Sequence, residues 1–148
     1  MKTPEKKEVV EFLMAQKAGV LSTVSGDQPH ASYIYYVADE DMSIYFATPV
    51  NSQKHENIQV HNKVAFTVAT INPPQTVQLE GSAEVVVDEN TIKAVTANYY
   101  DIASSNKHSE IPITKLNLDN GLVIYRINPR SMRWSDFSKK DNPVTHIV

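Results

Sequence analysis

SIYFATPVNSQKHENIQVHNKVAFTV, residues Ser43 to Val68, holds two strand signals with a short helix signal between them. Ser43, Tyr45 and Ala47 alternate with Ile44, Phe46 and Thr48, a mix of aromatic and β-branched residues suited to a pleated, half-buried surface. Pro49 stops the strand because it lacks an N–H for the ladder. Asn51 and Ser52 can each cap the helix that follows. Ile58, with Val60 or His61, is expected to face inward from that helix. Lys63 to Ile71 resumes as a strand of near-continuous apolar character. A polar loop, Thr48 to Lys54, therefore joins a strand end to a helix N-terminus. Backbone N–H groups and the positive end of the helix dipole converge there. Two readings are open: an anion site, with phosphate the usual anion, or an ordinary connection with a solvated lysine. The loop has no glycine and is not a P-loop. On local features alone the ordinary connection is favoured.

Composition bounds the rest. The chain has 148 residues, enough for one domain with a substantial core. Hydrophobic residues make up 41% and charged residues 21%, a globular balance. The formal net charge of −3 gives no electrostatic reason to expect nucleic acid or an anionic membrane as partner. Cysteine is absent, which excludes disulfides, thiolate catalysis and cysteine-ligated metals. No apolar run approaches the ~20 residues of a membrane span. The start, MKTPEKKEVVEF, is too charged for a secretory signal, so a cytoplasmic protein is expected. One domain is expected over residues 1–138, with 139–148 a loose C-terminal tail.

Outward from the central stretch, Thr3 to Lys17 reads as a helix with Pro4 at its first position and Val9, Val10, Phe12, Leu13 and Met14 inward. Ala18 to Val24 and Gln28 to Val37 form a hairpin around Ser25-Gly26-Asp27, with both faces of the second strand expected to be covered. Asp39-Glu40-Asp41 is the next turn. Beyond the break at Asn72-Pro73-Pro74, Thr76 to Val87 is a long strand. Gly81 inside it suggests a bulge or the close approach of another backbone. Asp88 caps a helix over Glu89 to Tyr100, with Ile92, Ala94, Val95 and Tyr99 available to pack. Asp101 to Pro112 reads as a loop and Ile113 to Leu118 is ambiguous. Gly121 to Ile127 and Ser131 to Phe137 read as strands joined by a turn at Asn128-Pro129-Arg130. Six or seven strands with three helices make an α+β fold. A mostly antiparallel sheet closing into a barrel, with flanking helices outside, satisfies that pattern.

No nucleophile–base–acid set is visible. His55 and His61 are six apart on a helix, which puts them on different faces rather than at metal spacing. Surface or singly bonded histidines are the expected reading of His30, His55, His61, His108 and His146. Arg126, Arg130 and Arg133 surround Trp134 near the C-terminus. They read either as a charged barrel rim or as a wall for a planar anionic ligand, to which Tyr33, Tyr35, Tyr36 and Tyr45 would add flat surface.

Three segments, GVLSTVSGDQPHASYIYYV, the central stretch, and VQLEGSAEVV, occur here in an order and spacing that resembles the pyridoxamine-phosphate-oxidase-like FMN-binding split barrels, in particular their general-stress-protein branch. The likeness runs from Gly19 to Val87, with a looser match in INPRSMRWSDF. It implies a split β-barrel, a homodimer, and FMN in a cleft at the subunit interface. It implies that His30, Ala31, Ser32 and Tyr33 run beside the flavin ring, the small Ala31 and Ser32 allowing its approach. Phe46, Ala47 and Thr48 match an aromatic-x-threonine element near the flavin. Ser52, Gln53 and Lys54 match the serine-x-lysine element that holds the flavin phosphate, which reverses the balance between the two readings of that loop. Leu79-Glu80-Gly81 matches a structural element, and Trp134 a position that covers the partner's flavin.

The chain departs from that pattern in two places. Arg130 to Arg133 lacks the histidine of the arginine-x-histidine element that holds substrate in true pyridoxamine phosphate oxidases. The phosphate loop offers one lysine where fuller enzymes offer more basic residues. The expected function is thus an FMN-dependent oxidoreductase of unknown substrate. The alternatives are a flavin-binding or stress-associated protein without turnover, and a haem-binding split barrel using His146.

Overall fold

The computed structural model describes residues 3–105 and 121–147. Its elements are α1 (Thr3–Ala15), β1 (Ala18–Ser25), β2 (Gln28–Tyr35), β3 (Val37–Ala38), β4 (Ile44–Pro49), α2 (Gln53–Val60), β5 (Lys63–Thr70), β6 (Gln75–Val85), α3 (Glu89–Ser105), β7 (Leu122–Asp136) and β8 (Val144–His146). The strands form one antiparallel sheet in the order β2-β1-β5-β6-β7-β4-β3, with β8 paired to β7. The α+β split barrel expected from the sequence is present. The short β3 and β8 bring the strand number among the described residues to eight. β8 lies inside the stretch expected to be a loose tail. Its pairing partners are Arg133 to Ser135, and Ile147 N–H donates to the Met132 carbonyl at 2.8 Å. The ambiguous segment around residues 113–118, most of the loop read at 101–112, and His108 lie outside the described residues.

β2 and β3 stand at opposite ends of the strand order, yet only Tyr36 separates them in the chain. The sheet must therefore curl until its two edges meet. Tyr36 is fully buried at that crossing; its hydroxyl donates to the Leu13 carbonyl at 2.6 Å and its N–H to the Lys17 carbonyl at 3.0 Å. Burial pushes its hydroxyl well above the usual tyrosine range, so it stays a donor. Past the end of β3 the outer edge of β4 has no strand beside it. Tyr99 from α3 covers that gap. Its hydroxyl accepts from Ala47 N–H at 2.9 Å and donates to the Tyr35 carbonyl at 2.8 Å. One side chain thus bridges the two edges of the split.

The core fills the curl. Leu21, Val64, Phe66, Val68, Val77, Leu79, Ile127, Met132 and Trp134 point inward from successive strands. Val9, Phe12 and Leu13 close one side from α1, with the Phe12 and Trp134 rings 5.0 Å apart. Met14, expected inward, is 51% exposed because it lies one position off the Val9–Phe12–Leu13 stripe. Among the described residues no helix is long and apolar enough to cross a membrane.

The turn expected at Asn128-Pro129-Arg130 is absent. β7 runs straight through it as one strand of 15 residues along β6. Glu80 pairs with Ser131 but Gly81 with Pro129, so Arg130 is an extra residue: a β-bulge. The close approach expected at Gly81 is real, for a Cβ there would collide with the Asn128 carbonyl oxygen. The bulge also switches the alternation of the strand. Tyr125 and Ile127 face the core before it, Met132 and Trp134 after it.

Replacing Tyr99 with phenylalanine would leave the Ala47 N–H and the Tyr35 carbonyl without their bridge. The expected loss is about 1–3 kcal/mol in urea unfolding, the cost of unpaired buried polar groups. A loss below about 0.5 kcal/mol, the scale of an ordinary surface change, would show that packing alone closes the split.

Candidate functional site

The site is built at the start of α2, on the loop singled out in the sequence. Ser52 is the N-cap, with extended backbone angles of −78° and 152°. Its Oγ accepts from His55 N–H at 3.2 Å and lies 2.7 Å from the Thr48 hydroxyl. Thr48 is fully buried at the end of β4, so the strand fixes where the helix begins. By helix geometry the N–H groups of Gln53 and Lys54 point out of the helix end. Lys54 is half-buried beside them, and desolvation lowers its pKa from the usual lysine range. Helix dipole, the Thr48 and Ser52 hydroxyls and a half-buried lysine thus belong to one helix start.

The inner face of α2 sets the angle of this loop. His55, Asn57 and Ile58 are buried. Asn57 Nδ2 donates to Thr23 Oγ1 of β1 at 3.0 Å, and its Oδ1 accepts from Gln53 Nε2 at 2.7 Å. Thr23 is the cross-strand partner of His30 on β2. Two hydrogen bonds therefore connect the helix start to β1, the neighbour of the strand expected to flank a bound ring. On the other side, His55 Nδ1 lies 2.6 Å from the Tyr125 hydroxyl of β7. Burial raises the pKa of that hydroxyl, which keeps it protonated and able to donate. The Tyr125 ring stacks on Phe46 with centroids 5.3 Å apart.

β2 is mostly uncovered. Ala31 is exposed, His30 and Ser32 are half-buried, and Tyr33 is 72% exposed. The expectation that both faces of this strand would be covered is not met within one chain: Ile34 is the one buried residue of β2. Thr48, Ser52, Gln53 and Lys54 come together as expected. Phe46 does not join them as a contact residue; it is fully buried and serves the core. Ala47 is half-buried with its N–H spent on Tyr99. Trp134 is 2% exposed against Phe12, so its ring belongs to its own core and is not presented to a partner. The wall of arginines and tyrosines does not form either. Tyr36 is in the core, Tyr45 bonds Asp39 at 3.1 Å, and Arg130 pairs with Glu80 at 3.3 Å.

Several residues that shape the site carried no signal in the sequence. His55 reads as a surface or singly bonded histidine; it is singly bonded but buried, beneath the loop. Asn57 lies one helical turn after Gln53, and that spacing alone could have paired them. Thr23, Tyr99 and Tyr125 reach the site from distant positions. Val60 and His61, candidates for the inner face, are exposed. Among the described residues no group of three histidine or acidic side chains is positioned to share a metal ion.

Residues 5–132 match the family described as pyridoxamine 5'-phosphate oxidase, and the chain belongs to that family. Its fold is similar to that of the conserved hypothetical protein Rv2991 from Mycobacterium tuberculosis, with 26% identity, a TM-score of 0.73, and coverage of 92% of this chain and 85% of that one. General Stress Protein 26 from Bacillus anthracis is similar at 21% identity and a TM-score of 0.66, over 97% and 98% of the two chains. An FAD-binding protein from Mesorhizobium loti shares the fold at 19% identity and a TM-score of 0.66, over 89% and 92%. No curated protein matches the chain.

Changing Asn57 to alanine should loosen the first turn of α2 while leaving the sheet intact. Hydrogen exchange is expected to speed up at His55 and Glu56, whose N–H groups bond Ser52, with no change in β5. Equal acceleration throughout would mean that Asn57 supports the whole fold rather than the loop.

Proposed function

We propose that this protein binds FMN at the α2 loop and acts as a flavin-dependent oxidoreductase on a substrate other than pyridoxamine phosphate. The observation that carries the reading is the convergence of the Ser52 cap, Thr48 and a desolvated Lys54 on one helix start. In this reading Ser52, the N–H groups of Gln53 and Lys54, and the Lys54 ammonium hold the phosphate. The uncovered β2, with Ala31 and Ser32, offers backbone and little side-chain bulk to a flat ring. Tyr33 and His30 would lie along its margins. When bound, FMN supplies the redox chemistry. Membership of the family and the FAD-binding protein of similar fold support a flavin as the cofactor class.

We read the protein as a homodimer that completes this site. Val20 and Tyr33, directly paired on β1 and β2, are 41% and 72% exposed on the outer face of the sheet. A second copy would cover them and exclude water from the ring.

The Lys54→Ala variant should bind FMN about 1–3 kcal/mol more weakly, the scale of a charge-assisted hydrogen bond. Riboflavin, which lacks the phosphate, should bind both forms equally. The sign of the pH dependence follows from the lowered pKa of Lys54. FMN affinity is full below that pKa and declines as pH rises through it, earlier than an ordinary lysine would cause. A visible spectrum of the purified protein separates flavin from haem, and sedimentation of the same sample should show a dimer. Unchanged FMN affinity in a folded Lys54→Ala variant would remove the phosphate assignment.

Pyridoxamine phosphate should not be turned over. Arg130 is engaged with Glu80 and Arg133 with Gln78, and no histidine lies between them in the chain. A site without polar contacts to its substrate discriminates poorly in its favour. In an aerobic assay of flavin-loaded protein, neither pyridoxal phosphate nor peroxide should accumulate. Rates on the order of 1 per second would refute the claim.

A further inference from the structure

At the end of β4 away from the α2 loop, the chain forms a second hollow. It lies between the end of α1, β3 and the first turns of α3, and its volume is about 470 Å³. Small-ligand sites span about 300–1,000 Å³. None of its wall comes from β1, β2, β5, β6 or β7, so it is apart from the face given to a second copy.

The floor of the hollow is apolar. Tyr45 and Val95 are buried there, with Val37 half-buried beside them. Met14, one position off the core stripe of α1, stands in the wall, and Ala94 keeps the α3 side shallow. The polar groups of the wall are rich in acceptors. Asp39 Oδ1 accepts from the N–H groups of Asp41 at 2.9 Å and Ser43 at 3.0 Å, and Oδ2 from the Tyr45 hydroxyl at 3.1 Å. Burial raises the pKa of that hydroxyl, so it stays a donor. These bonds fix the Asp39 carboxylate without a cation. A carboxylate has about four lone-pair sites, so one is left for a ligand. Glu40 stands exposed beside it. Among the described residues neither carboxylate has an ion-pair partner. The described lining holds no lysine, arginine or histidine, and Arg126, opposite Tyr45 on β7, is not part of it. Across the hollow, Asn98 Nδ2 donates to the Ala94 carbonyl at 3.0 Å, which leaves the amide oxygen as an acceptor.

We propose that this hollow is a site for a small organic cation, a primary ammonium on a short apolar body. An ammonium has three donors and no acceptor, which matches Asp39, Glu40 and the Asn98 oxygen. The body rests on Val37, Val95 and Met14. The site is independent of the flavin reading and uses none of the α2 loop.

The test is NMR of the full chain at fixed pH and ionic strength, titrated separately with 2-phenylethylammonium and with phenylacetate, which has a similar body and the opposite charge. The ammonium should shift the Met14 methyl and the Thr91 and Ala94 N–H signals saturably in the millimolar range, and phenylacetate should not. Glu40→Gln should weaken binding about fivefold, the scale of an exposed charge contact. Ala94→Arg, which sets a cation in the wall on an exposed helix position, should abolish it. An unchanged Trp134 indole signal confirms the fold of both variants. The proposal is overturned if the ammonium does not saturate, if phenylacetate saturates the same signals equally well, or if either variant titrates as the parent does.

Discussion

The Tyr99 hydroxyl holds together two sheet edges that the topology cannot join by strand pairing. The chain passes from β2 at one end of the sheet to β3 at the other through Tyr36 alone. So short a crossing brings the edges close but leaves β4 uncovered beyond β3. A buried N–H without a partner costs as much as several good packing contacts return. Tyr99 satisfies Ala47 on one edge and Tyr35 on the other with a single oxygen. That oxygen stays an O–H because burial drives its pKa far above the usual tyrosine range. The stability of the barrel is thereby tied to α3, a helix outside the sheet.

The end of β4 is where this architecture meets function. Ala47 is held by Tyr99, and the next residue, Thr48, holds Ser52, which starts α2. Below the helix, Asn57 ties to β1 and His55 to β7, strands on different sides of the barrel. A loop anchored from three directions presents its donors in one geometry. Such pre-organisation reduces what binding must spend on ordering.

Much of this was legible in the sequence because local signals agreed. The Gly26-Asp27 turn, the Asp88 cap and the strand–loop–helix around Ser52 each rest on a few neighbouring residues with known preferences. The failures share another cause. Asn128-Pro129-Arg130 looks like a turn, since Pro carries no N–H and the inward positions change parity across it. A bulge produces the same two signs, and only the partner strand, with Gly81 under Asn128, distinguishes them. Phe46 and Trp134 look like ligand aromatics by alignment, but which face they take depends on register set elsewhere. Likewise His55, Tyr99 and Tyr125 acquire roles through partners 52 or more residues away along the chain. Nothing adjacent to them in the chain announces it.

The bulge at Arg130 behaves like a reading-frame correction written into the polypeptide. Up to Ile127 the core reads one parity of β7, and from Met132 onward it reads the other. The extra residue is absorbed where it stands, because Gly81 keeps Pro129 and Glu80 keeps Ser131 on either side of it. Loss of Arg130 would join Pro129 to Ser131 with those partners unchanged. Directly paired residues share a face, so Met132 opposite Leu79 and Trp134 opposite Val77 would still be sent to the core. For an evolving lineage the bulge is thus a place where β7 can change its length by one residue without losing its frame.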